Sequence, residues 1–339
     1  MSVRIKDIAK KVNRSITTVS RALNDYDDVS PETKQLILET AKEMGYSPNT
    51  YAQRLQKQKT ETIGLVIPTF SPRFSDPFFS ELLAGIGNKA SDLGFDLLVS
   101  TRSPGREEIT TYKKLLEGRR VDGVIVVRTR KQDTRIDYLL QNNFSFVAFG
   151  QTDTQEEYSY VDEDSYYGMQ LIADHLAGLN HRKIACILPN PDLAFTQKRF
   201  EGLRDGLAKY DITLHEEYIK SGDLTQRSGY ELGSALLDLP QRPTAIVACN
   251  DLMAFGIISA AQERGLEVGK DISITGFDDI PMSEYSHPAL TTVNQPVYKI
   301  GSMVCEILIR TIRNEIDEFQ RILLKPELVI RQSTGLNNS

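Results

Sequence analysis

A chain of 339 residues, 40% hydrophobic and 25% charged, has room for two or three domains and the make-up of a soluble globular protein. No apolar run approaches the ~18 residues that span a bilayer, the opening MSVRIKDIAKKVNRS lacks an apolar signal segment, and three scattered cysteines (Cys186, Cys249, Cys305) suit buried thiols in a reducing cytoplasm; a membrane protein, an exported protein and a disulfide scaffold are therefore not expected. The net charge of −6 is uneven: residues 1–59 hold 11 Lys/Arg and 7 Asp/Glu, a net of +4, which leaves −10 for the rest, so only the head has the balance to meet a polyanion.

The head reads as three short helices. In RIKDIAKKV, Ile5, Ile8, Ala9 and Val12 recur at helical spacing. Ser15 is the N-cap expected for SITTVSRALN, whose Val19, Ala22 and Leu23 share one face. Between the two, Asn13 is the residue that best tolerates the left-handed backbone of a tight turn. A third helix is expected from Ser30, with Pro31 in its first turn, to Gly45 as its stop. Two short helices across a tight turn make a helix-turn-helix candidate. The second then presents Ile16, Thr17, Ser20 and Arg21 outward. Arginine can bind guanine bidentately, and Thr or Ile can touch a thymine methyl. A solvated three-helix bundle would show the same spacing; the basic balance favours DNA.

IKDIAKKVNRSITTVSRALN, followed by Ser30-Pro31-Glu32-Thr33 and by GYSPN at 45–49, resembles the N-terminal signature of the LacI/GalR (lac repressor/galactose repressor) family of bacterial transcription regulators. The resemblance implies an all-α helix-turn-helix head followed by an α/β two-lobed body of periplasmic-binding-protein type I fold. It adds Thr18, Asn24 and Thr33 to the expected DNA contacts. Two residues depart from the family pattern. Arg4 stands where Ser or Thr usually caps the first helix, a change that weakens a helix start by about 1 kcal/mol, and Asn13 stands where Gly is often found.

Residues 49–55, NTYAQRL, match the family's hinge. By resemblance, this segment becomes helical when a dimer meets DNA, with Asn49 on the backbone, Ala52 close to the minor groove and Leu55 wedged between base steps. The physics is consistent: unstacking costs a few kcal/mol, which added contacts along the kinked duplex offset. Arg54 and Lys57 would meet phosphates. A seven-residue helix is marginal alone, so its ordering can act as a switch.

From Ile63 onward, apolar runs read as buried strands (IGLVIP, FDLLVS, DGVIVV, FSFVAFG, KIACILP, TAIVACN, ISITGFDD) and alternate with helical stretches. That is the pattern of parallel sheets covered on both faces, and it is too long for one lobe. DPFFSELLAGI, RVDGVIV, VDEDSYYG, ACNDLMAFG, ITGFDDI and PALTTVNQP follow in the family's order, with Ser165 where Asn is usual. The expected division is a head at 1–46, a hinge at 47–59 and a body at 60–339. The body's first lobe is expected at about 60–158 and 293–319, its second at about 159–292 and 320–335.

Ligands of parallel sheets bind beyond the carboxyl ends of the strands. There lie Asp76, Phe78, Phe79, Arg128, Arg130, Arg199, Asn250 and Asp278, the effector-binding candidates; one of the two phenylalanines is expected in the core. Of these, Arg199, Asn250 and Asp278 match effector-contacting positions of the family. Carboxylates, amides and guanidinium groups suit sugar hydroxyls, and an aromatic ring suits a pyranose face. Asp251 is expected to cap the helix that follows it.

No glycine-rich phosphate loop appears, and the four histidines form no zinc pattern with cysteine, so they read as caps or surface residues. No cofactor and no metal are expected. A solute-binding protein for uptake would suit the body but not the basic head. A sugar-acting enzyme would need a catalytic constellation that the sequence does not display. The expectation is a non-enzymatic, cytoplasmic, nucleoid-associated repressor. It would bind a pseudo-palindromic double-stranded DNA operator as a homodimer, the closing RQSTGLNNS lacking the leucine heptads of a tetramer. Its effector would be a sugar or oligosaccharide, with a purine or nucleoside co-repressor as the alternative.

Overall fold

In the computed structural model, which describes residues 3–46, 59–69 and 76–338, the chain divides into two units, Met1–Glu61 and Thr62–Ser339. Among its described residues the first has three helices: α1 (Ile5–Lys11), α2 (Ile16–Leu23) and α3 (Pro31–Glu43). Each gives its apolar stripe to one small core of Ile8, Val19, Ala22, Val29, Ile37 and Ala41. Asn13 takes φ 51° in the turn before α2. Ser15 caps α2 by accepting the Thr18 N–H at 2.9 Å, and Ser30 caps α3 by accepting the Thr33 N–H. Arg4 offers no acceptor at the start of α1. That turn is closed from the other side, where the Asp7 carboxylate accepts the Arg4 N–H at 2.9 Å.

The second unit is a two-lobed α/β body. Its first sheet runs β11-β5-β4-β3-β1-β2, all parallel, from β1 (Thr62–Pro68), β2 (Asp96–Arg102), β3 (Gly123–Val126), β4 (Phe146–Phe149), β5 (Tyr160–Glu163) and β11 (Arg321–Leu324). Alternation along β1 loads both faces. Ile63, Leu65 and Ile67 pack with α4 (Pro77–Asp92) and α12 (Val297–Ile312). Val66 packs with Tyr112 of α5 (Arg106–Glu117) and Ile136 of α6 (Thr134–Gln141). The apolar run of β2 is not buried as expected, because β2 is an edge strand and Val99 is 43% exposed.

The second sheet runs β7-β6-β8-β9, again parallel, from β6 (Ile184–Leu188), β7 (Ile219–Ser221), β8 (Ala245–Ala248) and β9 (Ser273–Thr275). It is covered by α7 (Ser165–Gly178), α8 (Ala194–Ala208), α9 (Gln226–Leu237) and α10 (Asp251–Glu263). α9 and α10 touch backbone to backbone: a Cβ on Gly256 would sit 2.0 Å from the Gln226 carbonyl, and one on Gly229 would sit 2.1 Å from that of Met253. The short α11 (Met282–Tyr285) follows β9, and a two-stranded antiparallel sheet, β10 (Thr292–Asn294) with β12 (Glu327–Val329), lies where the chain passes between the lobes.

The lobe boundaries differ from expectation. Residues 160–163 and 321–324, placed in the second lobe by the sequence reading, are paired strands of the first sheet. YVDE is too short and acidic to read as a buried strand, and its acidic end is polar because it opens on the cleft between the lobes. His181 also departs from its surface assignment. It is 3% exposed, with Nδ1 on Thr244 Oγ1 and Nε2 on Ser273 Oγ, each at 2.9 Å.

Candidate functional site

On α2, Ile16 is 54% exposed, and Thr17 and Arg21 are also exposed, while Ser20 is half-buried. Arg21 pairs with Asp28, both side chains about half in solvent. A pair so exposed is worth ~0–1 kcal/mol, little to give up for a base edge or a phosphate. Thr18 is half-buried and its hydroxyl meets Ser15 Oγ at 2.8 Å. The Asn24 amide donates to the Ser20 carbonyl at 2.8 Å, and Thr33 Oγ1 accepts from Ser30 Oγ at 3.0 Å. These three serve caps, whereas Ile16, Thr17 and Arg21 form the open face. Asn49, Ala52, Arg54, Leu55 and Lys57 lie outside the described residues.

Between the two lobes of the body is a cleft of about 860 Å³, its mouth included. Six of the eight effector candidates line it: Asp76, Phe78, Arg128, Arg199, Asn250 and Asp278. Asp76 caps α4 through the Phe78 N–H at 3.2 Å and accepts from Arg128 Nη2 at 2.7 Å. Burial raises its pKa above the ordinary carboxylate value, and the Arg128 charge opposes that rise. The Phe78 ring stacks on Phe149 with centroids 5.8 Å apart, giving the first lobe an aromatic wall.

Arg199 is 3% exposed and forms the floor. Its Nε donates to Ser165 Oγ and its Nη2 to Glu163 Oε1, each at 3.2 Å, and its Nη1 donates to the Cys249 carbonyl. The guanidinium lies 3.6 Å from the centre of the Phe277 ring. Asp278 sits in the left-handed region at φ 118°, with Oδ1 3.9 Å from Arg199 Nη2. Burial pushes the Asp278 and Asp162 carboxyls well above the usual range. Protonated, such a group donates as well as accepts.

Two candidates lie elsewhere. Phe79 is fully buried in the core of the first lobe, against the edge of Phe78. Arg130 turns away from the cleft and donates to Glu108 Oε2 at 2.6 Å. The cap of α10 is also reassigned. Asn250 accepts the Met253 N–H and donates to the Leu224 carbonyl, so much of its polar capacity is engaged. Asp251, expected as that cap, is fully buried and accepts from Thr292 Oγ1, Ser283 Oγ and the Ile280 N–H.

Gln295, Asp162, Glu163, Lys198 and Phe149 also line the cleft, beyond the candidates expected from the sequence. The carboxylates end a strand too acidic to read as buried, and Gln295 lies on a crossing segment whose place only the tertiary fold sets. At the rim the lobes meet directly: Thr129 O accepts the Ala194 N–H and Asp192 O accepts the Lys131 N–H, both at 2.9 Å. Among the described residues no helix is long and apolar enough to cross a membrane.

Comparison with known proteins agrees with this layout. Residues 4–49 match a family model described as bacterial regulatory proteins, lacI family, and residues 173–334 match a periplasmic binding protein-like domain. The chain is 31% identical over 334 residues to the HTH-type transcriptional repressor PurR of Haemophilus influenzae, covering 97% of this chain and 98% of the relative. It is similar to the transcriptional regulator CelR in complex with cellobiose, with TM-score 0.76, 29% identity and coverage of 98% and 99% of the two chains. It is also similar to the lac repressor dimer bound to operator and the anti-inducer ONPF, with TM-score 0.85, 27% identity and the same coverage.

Proposed function

Because the chain belongs to the lacI family of bacterial regulatory proteins and is on that ground a DNA-binding transcriptional regulator, we propose that it binds a pseudo-palindromic operator as a homodimer under the control of a carbohydrate effector held between the lobes of its body. The α2 face of Ile16, Thr17 and Arg21 reads the major groove, and two copies read two half-sites. Leu55 enters the minor groove between them. The similarity to a dimer bound to operator supports this arrangement.

The observation that carries the effector reading is the convergence of six candidates from both lobes on one cleft. Asp76, Phe78 and Arg128 come from the first lobe, and Arg199, Asn250 and Asp278 from the second. A ligand that touches both binds the closed body better than the open one, and only that difference in affinity can act on the head. The guanidinium groups of the cleft are already matched by carboxylates, Arg128 by Asp76 and Arg199 by Glu163, which favours a neutral polyol over an anion. Carboxyls, amides and guanidinium groups grip hydroxyls, and the Phe78–Phe149 wall covers a ring face. The same wall fits a flat purine, which is the second reading.

A thermal-shift assay on the full chain with cellobiose, ribose, adenine and guanine separates the two. Ligand at 100 times its Kd stabilises by ~2.7 kcal/mol. A rise in midpoint with a saccharide alone supports the carbohydrate reading; a rise with a purine alone overturns it.

A further inference from the structure

Behind the cleft wall that carries Arg128 lies a buried ionic cluster that does not line the cleft. Arg135 is 1% exposed, and all five of its N–H groups have acceptors. Nε and Nη2 donate to the two oxygens of Asp133 at 2.8 and 2.6 Å, and Nη1 donates to Glu108 Oε1 at 2.6 Å. The remaining two reach backbone: Nη1 to Val127 O at 3.1 Å and Nη2 to Arg128 O at 3.0 Å. Glu108 is fully buried and takes Arg130 Nη2 on its other oxygen at 2.6 Å, while Asp133 Oδ2 accepts the Arg130 N–H at 3.0 Å. The cluster thus holds Val127, Arg128 and Arg130 from behind.

Apolar side chains of similar volume generally hold a core as well as a buried ion cluster does. What a guanidinium fork adds is direction, since it sets where two carbonyls point. Direction matters here. Arg128 sits at φ 49°, a backbone conformation that a non-glycine residue keeps only when its surroundings hold it. Its side chain enters the cleft and pairs with Asp76. The residues just after it, Thr129 to Lys131, make the backbone contact with Asp192 to Ala194 of the second lobe.

We infer that Glu108, Asp133 and Arg135 are positioning residues for the cleft: they hold residues 127–131 in the one path that both delivers Arg128 to the ligand space and docks the first lobe on the second. The inference rests on the cleft being the effector site, but its test needs no ligand. None of the three touches the effector. Each acts through the segment it grips, so a residue on the far side of the first sheet's wall sets how firmly the lobes close.

The test is hydrogen exchange of the ligand-free full chain, comparing Glu108→Gln and Arg135→Lys with the unaltered protein. The junction amides of Lys131 and Ala194 should exchange roughly tenfold faster, while core amides of β1 and β8 keep their rates. Glu108→Gln keeps shape and one acceptor, so it carries the test if Arg135→Lys does not fold. Tyr112→Phe removes a neighbouring buried hydroxyl that has no partner among the described residues, and should leave the junction unchanged. Unchanged junction amides in the folded variants, or equal acceleration in β1 and β8, would overturn the inference. A failure of the carbohydrate reading would leave this result untouched.

Discussion

Gln295 donates from Nε2 to Asp278 Oδ1 at 2.7 Å, while its own Oε1, buried in the cleft wall, meets no partner among the described residues. A buried acceptor without a donor costs free energy unless something supplies one. In a cleft of this chemistry the natural donor is a ligand hydroxyl or N–H. Gln295→Met keeps the volume and removes that acceptor. Affinity for the saccharide found by thermal shift should fall about tenfold by calorimetry, and loss of the Nε2 donor to Asp278 should lower ligand-free stability by ~1–3 kcal/mol. Unchanged affinity would show that Oε1 faces no ligand group.

Asp278 joins Gln295 to Arg199. Asp278→Ala should abolish the effect of ligand on operator binding and leave operator affinity without ligand intact. Fluorescence anisotropy with a labelled operator reads both. Loss of operator affinity as well would mean that Asp278 holds the fold rather than the effector.

Leu55 is the hinge residue to change. With Leu55→Ala, specific operator affinity should fall by a few kcal/mol, the scale of an inserted wedge and the contacts it permits. Binding to random duplex, set by phosphate charge, should barely move. Equal loss on both duplexes would leave Leu55 as an ordinary linker residue.

Burial pushes the Asp251 carboxyl up to about 7, against the pull of its Thr292, Ser283 and Ile280 donors. Between the unfolded and folded values the native state therefore holds a proton that the unfolded chain has released. The contribution of Asp251 is full below the unfolded value and is lost as pH rises through about 7. The thermal midpoint of the unaltered chain minus that of Asp251→Asn should shrink from about pH 5 to about pH 8. Burial pulls the His175 and His181 pKa values down, which has the opposite sign but cancels in the difference. A flat difference would mean that Asp251 stays ionised throughout.

Much of this architecture is legible in the sequence because local chemistry and tertiary packing agree. Ser15, Asn13, Ser30 and Gly45 punctuate the head as their backbone preferences dictate. The long apolar runs of β1, β3, β6 and β8 are buried on both faces, so they read as strands. The misreadings fall where one segment serves two ends. Tyr160–Glu163 is a strand whose last residues belong to the cleft, so its polarity hid it. Arg130 looked like a ligand contact beside Arg128, yet their side chains part, one to Glu108 and one to Asp76. Asn250 takes the cap expected of Asp251 because either can cap a helix, and only Asp251 is within reach of Thr292 and Ser283. Local pattern cannot choose between two such residues; the neighbours that choose are far away in the chain.

The control that a ligand in the body exerts on DNA reading by the cationic head can be measured. Its most direct test is anisotropy of the full chain at physiological ionic strength, on duplex from the promoter of its own gene and on a scrambled duplex, with and without the saccharide found by thermal shift. The expected result is a preference for the promoter of at least ~10³ and a shift of at least ~5-fold in that affinity on adding ligand. Equal affinity for the two duplexes, with ligand making no difference, would contradict it.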